Sequence, residues 1–209
     1  MQAEVASNML SADGLIEKAR AGDERAFNQL VNLWYKRIYN YAYKHCSDEE
    51  MSSDITQRTF IAVYKNLSKL KETGSFKPWV YRIATNLCYE EGRKKAKRAT
   101  VSIGVTRNEN DEESYVGDGE AKGVIFNPER TYQQLELEKI LFDCLHELPE
   151  DQRSVIIMKE YEGMKFHEIA DALDASENTV KTRLYRGLKV LKNRLDEKNI
   201  TKETIHYEL

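Results

Sequence analysis

The sequence predicts an all-α protein of two small helical domains joined by a flexible acidic linker. Three observations carry that expectation. Apolar residues recur at helical spacing along most of the chain. The 209 residues include only 10 Gly and 3 Pro, with 32% charged and 41% hydrophobic residues, which suits a helical protein. Residues 101–130 lose all periodicity. The expected division is a disordered tail over 1–12, a helical domain over 13–100, a linker over 101–130, a second helical domain over 131–197 and a C-terminal tail over 198–209.

In the first domain, Asp23 stands where an N-cap belongs. Phe27, Leu30, Val31, Trp34, Ile38 and Tyr41 form one apolar face behind it. Ser47, with Glu50 three residues later, gives a capping-box signature for a helix over 47–67. Residues 72–75 interrupt the pattern. A long helix then starts near Phe76 and runs towards Arg98, with Trp79, Val80, Ile83, Ala84 and Leu87 on its inner face. Pro78 falls in its first turn, where a missing N–H does no harm.

The linker contains RNENDEESYVGDGEAKG, which is acidic and poor in large apolar groups. Thirty such residues span roughly 100 Å when extended and average about 30 Å as a coil, so the two domains can sit on well-separated sites. Leu135, Leu137, Leu141, Leu145 and Leu148 then mark a helix ending at Pro149, and DQRSVIIMKEYEG a helix closed by Gly163. The segment KFHEIADALDASENTVKTRLYRGLKVLKNRL follows. It reads as a short helix, a tight turn and a longer helix capped by Ser176, with Val180 and Leu184 in the core. From Ser176 to Arg194 that second helix carries six cations against one acid. A leucine-rich inner face and a cationic outer face across a short turn form a helix-turn-helix of the DNA-reading kind.

Charge and composition exclude other classes. The balance is +6 over 13–100, −4 over 101–130 and −4 over 131–209, so free affinity for DNA should be modest. No apolar run approaches the roughly 20 residues of a membrane span, and the N-terminus lacks a secretory pattern. Cys46, Cys88 and Cys144 are far apart and odd in number, which argues against a disulfide framework and for a reduced, cytoplasmic protein. His45, His146, His167 and His206 are scattered, with no metal-ligand spacing. Without a phosphate loop or nucleophile motif, the expectation is no enzyme, no catalytic residue, no cofactor, no metal and no small-molecule substrate.

GDERAFNQL (22–30), DITQRTFIAVY (54–64), GSFKPWVYRIATN (74–86), LPEDQRSVIIMKEYEG (148–163) and the helix-turn-helix occur in one order around the spacer. In that order the chain resembles a sigma factor of bacterial RNA polymerase, of the small two-domain extracytoplasmic-function group. The resemblance implies a second sigma region at the N-terminus, a fourth at the C-terminus, and a linker in place of the third. It leaves open whether the linker is a solubilising spacer or threads into the polymerase interior.

Asp54, Gln57, Arg58 and Ile61 share one stripe of their helix, while Phe60 and Tyr64 are expected to turn towards the core. The resemblance makes that stripe the docking face for the clamp helices of the polymerase largest subunit, with the flap region as a second contact. It assigns the minus-10 element and melting to Ser75, Phe76, Trp79, Arg82, Asn86 and Arg93. Phe76 and Trp79 read equally simply as core. Trp79 is followed by Val80 where primary sigma factors have two adjacent aromatics, so melting should lean on the 72–75 loop and a well-matched promoter. Asn178, Lys181, Thr182, Arg183 and Arg186 are expected to read the minus-35 element in the major groove. An anti-sigma partner, membrane-linked, is implied as well, though no segment of this chain itself inserts in a membrane. The competing reading is a stand-alone helix-turn-helix repressor or activator, which needs a dimer interface and a palindromic site.

Overall fold

The computed structural model describes residues 12–104, 132–198 and 200. Among them all regular structure is helical. The expected N-terminal tail, all but the first four residues of the expected linker, and most of the C-terminal tail lie outside the described residues.

Helix α1 spans 12–20 and buries Ile16, while Arg20 donates to the carbonyls of Leu70 (3.0 Å) and Lys71 (3.1 Å). Asp23 caps α2 (Glu24–Cys46) by accepting from the backbone N–H groups of Arg25 and Ala26. The face Leu30, Trp34, Ile38 and Tyr41 is buried as its spacing requires. The next cap corrects the sequence reading by one residue. Asp48, not Ser47, caps α3 (Glu49–Asn66), by accepting from Met51 N–H at 2.7 Å. Ser47 is instead the left-handed residue that ends α2, at φ 54°. Two short 3-10 turns, Leu67–Lys69 and Thr73–Ser75, lead into α4 (Phe76–Gly104). That helix outruns Arg98 and enters the stretch assigned to the linker.

Helix α5 (Tyr132–His146) ends just before Pro149, which opens α6 (Glu150–Ile156). The expected single helix over the next stretch widens into a π-helical turn, Ile157–Tyr161, and Gly163 closes it at φ 59°. Helix α7 (Phe166–Leu173) and helix α8 (Glu177–Glu197) complete the chain. Asp174 turns the corner at φ 51°, and Ser176 caps α8 by accepting from Thr179 N–H at 3.1 Å.

The two halves are not held apart in this structure. One apolar core runs from Leu30, Trp34 and Ile55 through Val80 and Ala84 to Ile156, Met164 and Val180. Helix α4 lies between α2 and α3 on one side and α7 on the other, which explains why its buried residues exceed one narrow stripe. Tyr41 and Tyr81 are both fully buried, and the Thr85 hydroxyl accepts from Tyr41 (2.6 Å) while donating to the Tyr81 carbonyl (2.7 Å).

Within the second half, Gly187 lets α8 lie directly on α6. A Cβ there would meet Ile156 Cδ1 at 2.8 Å and Gln152 Cβ at 3.3 Å. Replacing it with a large apolar residue forces the helices apart, at about 1–3 kcal/mol. Gly187→Leu should therefore lower the thermal midpoint of the second half by several degrees in a calorimetric scan. An unchanged midpoint would show that the α6–α8 contact is not tight.

Candidate nucleic-acid interface

The recognition face of α8 is set by its buried side. Val180 and Leu184 anchor the helix, at 0% and 4% exposure. Glu168 reinforces the preceding helix by accepting from the backbone N–H of Lys165 at 2.6 Å, and Ala175 N–H closes the turn on the Ala170 carbonyl. These contacts leave Asn178, Thr182 and Arg186 exposed on the outer turns and Lys181 and Arg183 half-exposed at the two edges of that face. Thr182 returns its hydroxyl to the Asn178 carbonyl at 2.8 Å. Lys181 lies over the Phe166 ring and 3.9 Å from Glu177. Arg183 Nε pairs with Asp151 at 2.9 Å. Asn178, Thr182 and Arg186 thus share the exposed outer face, Lys181 and Arg183 flank it on opposite edges, and Tyr185 is exposed rather than packed.

The candidate minus-10 residues are split by the fold. Ser75 and Asn86 are exposed, and Arg93 is exposed with its Nε donating to the Tyr89 carbonyl. Phe76 is a correction. Its ring is 1% exposed, edge-on to Trp34 at 5.4 Å and to Trp79 at 6.1 Å, so it holds the core and does not face a nucleic acid. Trp79 is half-buried. Arg82 is turned to the second half of the chain, paired with Asp174 at 3.0 Å. Its neighbours behave alike: Lys77 donates to the Glu162 carbonyl at 2.9 Å, and the Tyr81 hydroxyl donates to the Glu162 carboxylate. Burial, followed by the negative charge of Glu162, pushes the Tyr81 phenol far up.

On α3, Asp54, Gln57 and Ile61 are exposed, with Ile61 at 54%. Arg58 points back instead. It reaches Glu91 (2.7 Å), Asp54 (3.1 Å) and Glu90 (3.3 Å), and Lys94 closes the network on Glu90 and Glu91. The hydrogen bonds to Glu91 and Asp54 raise its pKa, so this cation ties α3 to α4. Tyr64 also departs from expectation, being 59% exposed with its ring edge on Phe27. Sequence reasoning missed Glu162 and Asp174 as partners of α4, since a carboxylate in a loop carries no signal of what it will face.

The chain matches the description "Sigma-70 region 2" over residues 30–98 and "Sigma-70, region 4" over residues 138–191. It is 31% identical to the RNA polymerase sigma-H factor of Pseudomonas aeruginosa, over 83% of this chain and 88% of that one. It is 30% identical to the ECF RNA polymerase sigma-E factor of Escherichia coli strain K12, over 90% of this chain and 96% of that protein. The chain belongs to the sigma-70 family, in its extracytoplasmic-function group. It is a promoter-directing sigma factor of RNA polymerase. Its fold is similar to that of CnrH in complex with the cytosolic domain of CnrY, at a TM-score of 0.64 with 23% identity over 90% of this chain and 98% of that one. It is also similar to the sigma factor RpoE in complex with the anti-sigma factor NepR from Bartonella quintana, at a TM-score of 0.60 with 20% identity over 81% and 96% of the two chains. Among the described residues of this sigma factor, no helix is long and apolar enough to cross a membrane.

The Arg58 network makes a prediction that separates packing from docking. Partly exposed ion pairs are worth up to roughly 1 kcal/mol. Arg58→Ala should destabilise region 2 by about that amount in chemical denaturation, whereas Gln57→Ala, on the exposed neighbour, should leave the midpoint unmoved. Equal effects of the two would contradict the assignment of Arg58 to the α3–α4 joint.

Proposed function

We propose that this sigma factor divides promoter recognition between its two regions. Region 4, within residues 131–197, reads the minus-35 element by laying α8 in the major groove. Arg183, Arg186 and Lys181 are suited to guanine edges and flanking phosphates, and Asn178 to adenine. Thr182 supplies a small polar contact between them. Region 2, within residues 13–100, takes the minus-10 element on the loop at Ser75 and the outer side of α4, through Trp79, Arg82, Asn86 and Arg93. Asp54, Gln57 and Ile61 dock on the clamp helices of the polymerase largest subunit, and region 4 meets the flap. The polymerisation chemistry belongs to that partner, and this chain supplies no catalytic group.

One observation carries the reading: the polar outer turns of α8 are held on a fixed scaffold by a capped, left-handed turn and a fully buried inner face. A rigid support of that kind lets a few side chains discriminate base edges. The relative from Bartonella quintana solved with the anti-sigma factor NepR supports a regulator that seizes this protein in the cytoplasm and masks it from polymerase. A stand-alone repressor is not favoured, because region 2 would then have no task.

The test mixes the purified chain with core polymerase and a promoter fragment carrying a fluorescent base in the minus-10 element. Strand opening should require both proteins, and the chain alone should bind duplex weakly. The double charge reversal Arg183→Glu, Arg186→Glu should cut promoter-specific opening by at least about 10–100-fold, the scale of one or two lost base contacts. Association with core, followed by gel filtration, should be unaffected. Loss of core association in that variant would overturn the division of labour.

A further inference from the structure

The joint between regions 2 and 4 places two histidines, one buried and one half-buried, among hydroxyls and a guanidinium. His45, near the end of α2, is 7% exposed, with its Nε2 3.4 Å from Ser154 Oγ of α6. His146, at the end of α5, has Nε2 2.7 Å from Ser47 Oγ of region 2 and Nδ1 3.3 Å from an Arg153 nitrogen. Arg153 also donates to the His45 carbonyl at 3.0 Å, so one guanidinium touches both regions and borders both rings.

We propose that this joint is a proton-operated latch, closed while His45 and His146 are neutral and released when they take up protons. Hydrogen-bond direction carries the argument. A guanidinium only donates, so Nδ1 of His146 must present its lone pair to Arg153, and Nε2 must carry the proton and donate to Ser47. Protonating Nδ1 sets donor against donor and cation against cation. At His45, the Ser154 hydroxyl spends its own proton on the Glu150 carbonyl at 2.8 Å. It therefore accepts from the imidazole N–H, and the ring is held without an anionic partner on that side. The Tyr41 ring packs against its face at 4.7 Å.

The energetics agree in sign. Burial first, then Arg153 and His146, lowers His45 to about 3. Burial first, then Arg153 and Lys95, lowers His146 to about 4. Both start from about 6.5 in water. A histidine lowered in the closed state favours closure fully above about 6.5, and that contribution is lost progressively as pH falls, down to about 4 for His146 and about 3 for His45. Opening thus takes up to two protons.

The charged and titratable groups around the rings come from every packed element. Helix α4 contributes Lys95, Tyr89 and Cys88, α6 contributes Arg153 and Glu150, and α2 contributes Cys46. Glu147, beside His146, is committed to Arg194 at 2.7 Å. Glu162 and Asp174 close the far end of the same joint against Lys77, Tyr81 and Arg82.

Small-angle scattering of the full chain, from about pH 8 to about pH 5 at fixed ionic strength, reads the latch. The chain should be compact at the upper end and expand within that range. The double variant His45→Gln, His146→Asn keeps neutral donors and acceptors, and should stay compact throughout while circular dichroism reports unchanged helix. Proton NMR of the wild-type imidazoles should show both titrating together with the expansion, which keeps the idea testable if the variant fails to fold. Constant dimensions in the wild type, an extended chain at the upper end, imidazoles titrating apart from the expansion, or a double variant opening at the wild-type midpoint would each overturn the proposal. The last result would assign the effect to groups other than the two rings.

Discussion

Arg153 is the interaction on which the rest of this arrangement depends. Helix α5 ends at His146 and Pro149 follows, so the last carbonyls of α5 have no helical N–H to accept from. Arg153 supplies donors there, beside the Leu148 N–H that reaches the Leu145 carbonyl at 3.2 Å. Its nitrogens reach the carbonyls of His146 (2.7 Å), Leu148 (2.9 Å) and Leu145 (3.0 Å), and a fourth bond crosses to His45. A cation at a helix C-terminus also meets the negative end of the helix dipole. Burial lowers the pKa of this guanidinium, yet an arginine begins so high that it remains charged. One side chain thus terminates α5, orients α6 and fixes region 4 against region 2. A lysine has a single nitrogen and cannot make the same forked set of bonds.

From that joint outward, α4 becomes a helix with two obligations. Its Phe76, Val80 and Ala84 side closes the core of region 2. Its Lys77, Tyr81 and Arg82 side is met by Glu162 and Asp174 of region 4. The second set includes a side chain proposed to face the minus-10 element, so the closed arrangement and promoter binding compete for Arg82. Region 4 contributes carboxylates where nucleic acid would contribute phosphates, and the two anions satisfy the same donors.

Most of the helices were legible in the sequence because burial imposes a period, and the period survives in the order of residues. The inner faces of α2 and α8 and the caps at Asp23 and Ser176 follow from that logic. The cap of α3 slipped by one residue because Ser47 and Asp48 are both capping types, and only the left-handed backbone at Ser47 tells them apart. The ion pairs of Arg58 and the exposure of Tyr64 were not legible for a related reason. Periodicity says which residues share a face, but not whether a long side chain turns back to a neighbouring helix or an aromatic stays outside. The packing of region 2 on region 4 could not be read from the pattern, because periodicity does not say which apolar faces meet. Its polar part is made by tyrosines, arginines and carboxylates, whose tips look solvated until a partner is in place.

The charge distribution decides how such a chain finds its promoter. The protein carries a net charge of −3, so its field does not draw it to DNA, even though α8 alone is strongly cationic. Arg82 and Arg183 already hold carboxylates at 3.0 Å and 2.9 Å. Trading each partly exposed pair for a phosphate contact is close to even in energy, since the pairs are worth only up to about 1 kcal/mol. The exchange alone therefore gives little net affinity. What tips it is an external scaffold that holds both regions at their places on the duplex, because the loss of freedom on binding is then met once, by the complex with polymerase. A chain of this charge is suited to read DNA as part of an assembly, where the polymerase complex supplies the positioning that its own weak field does not.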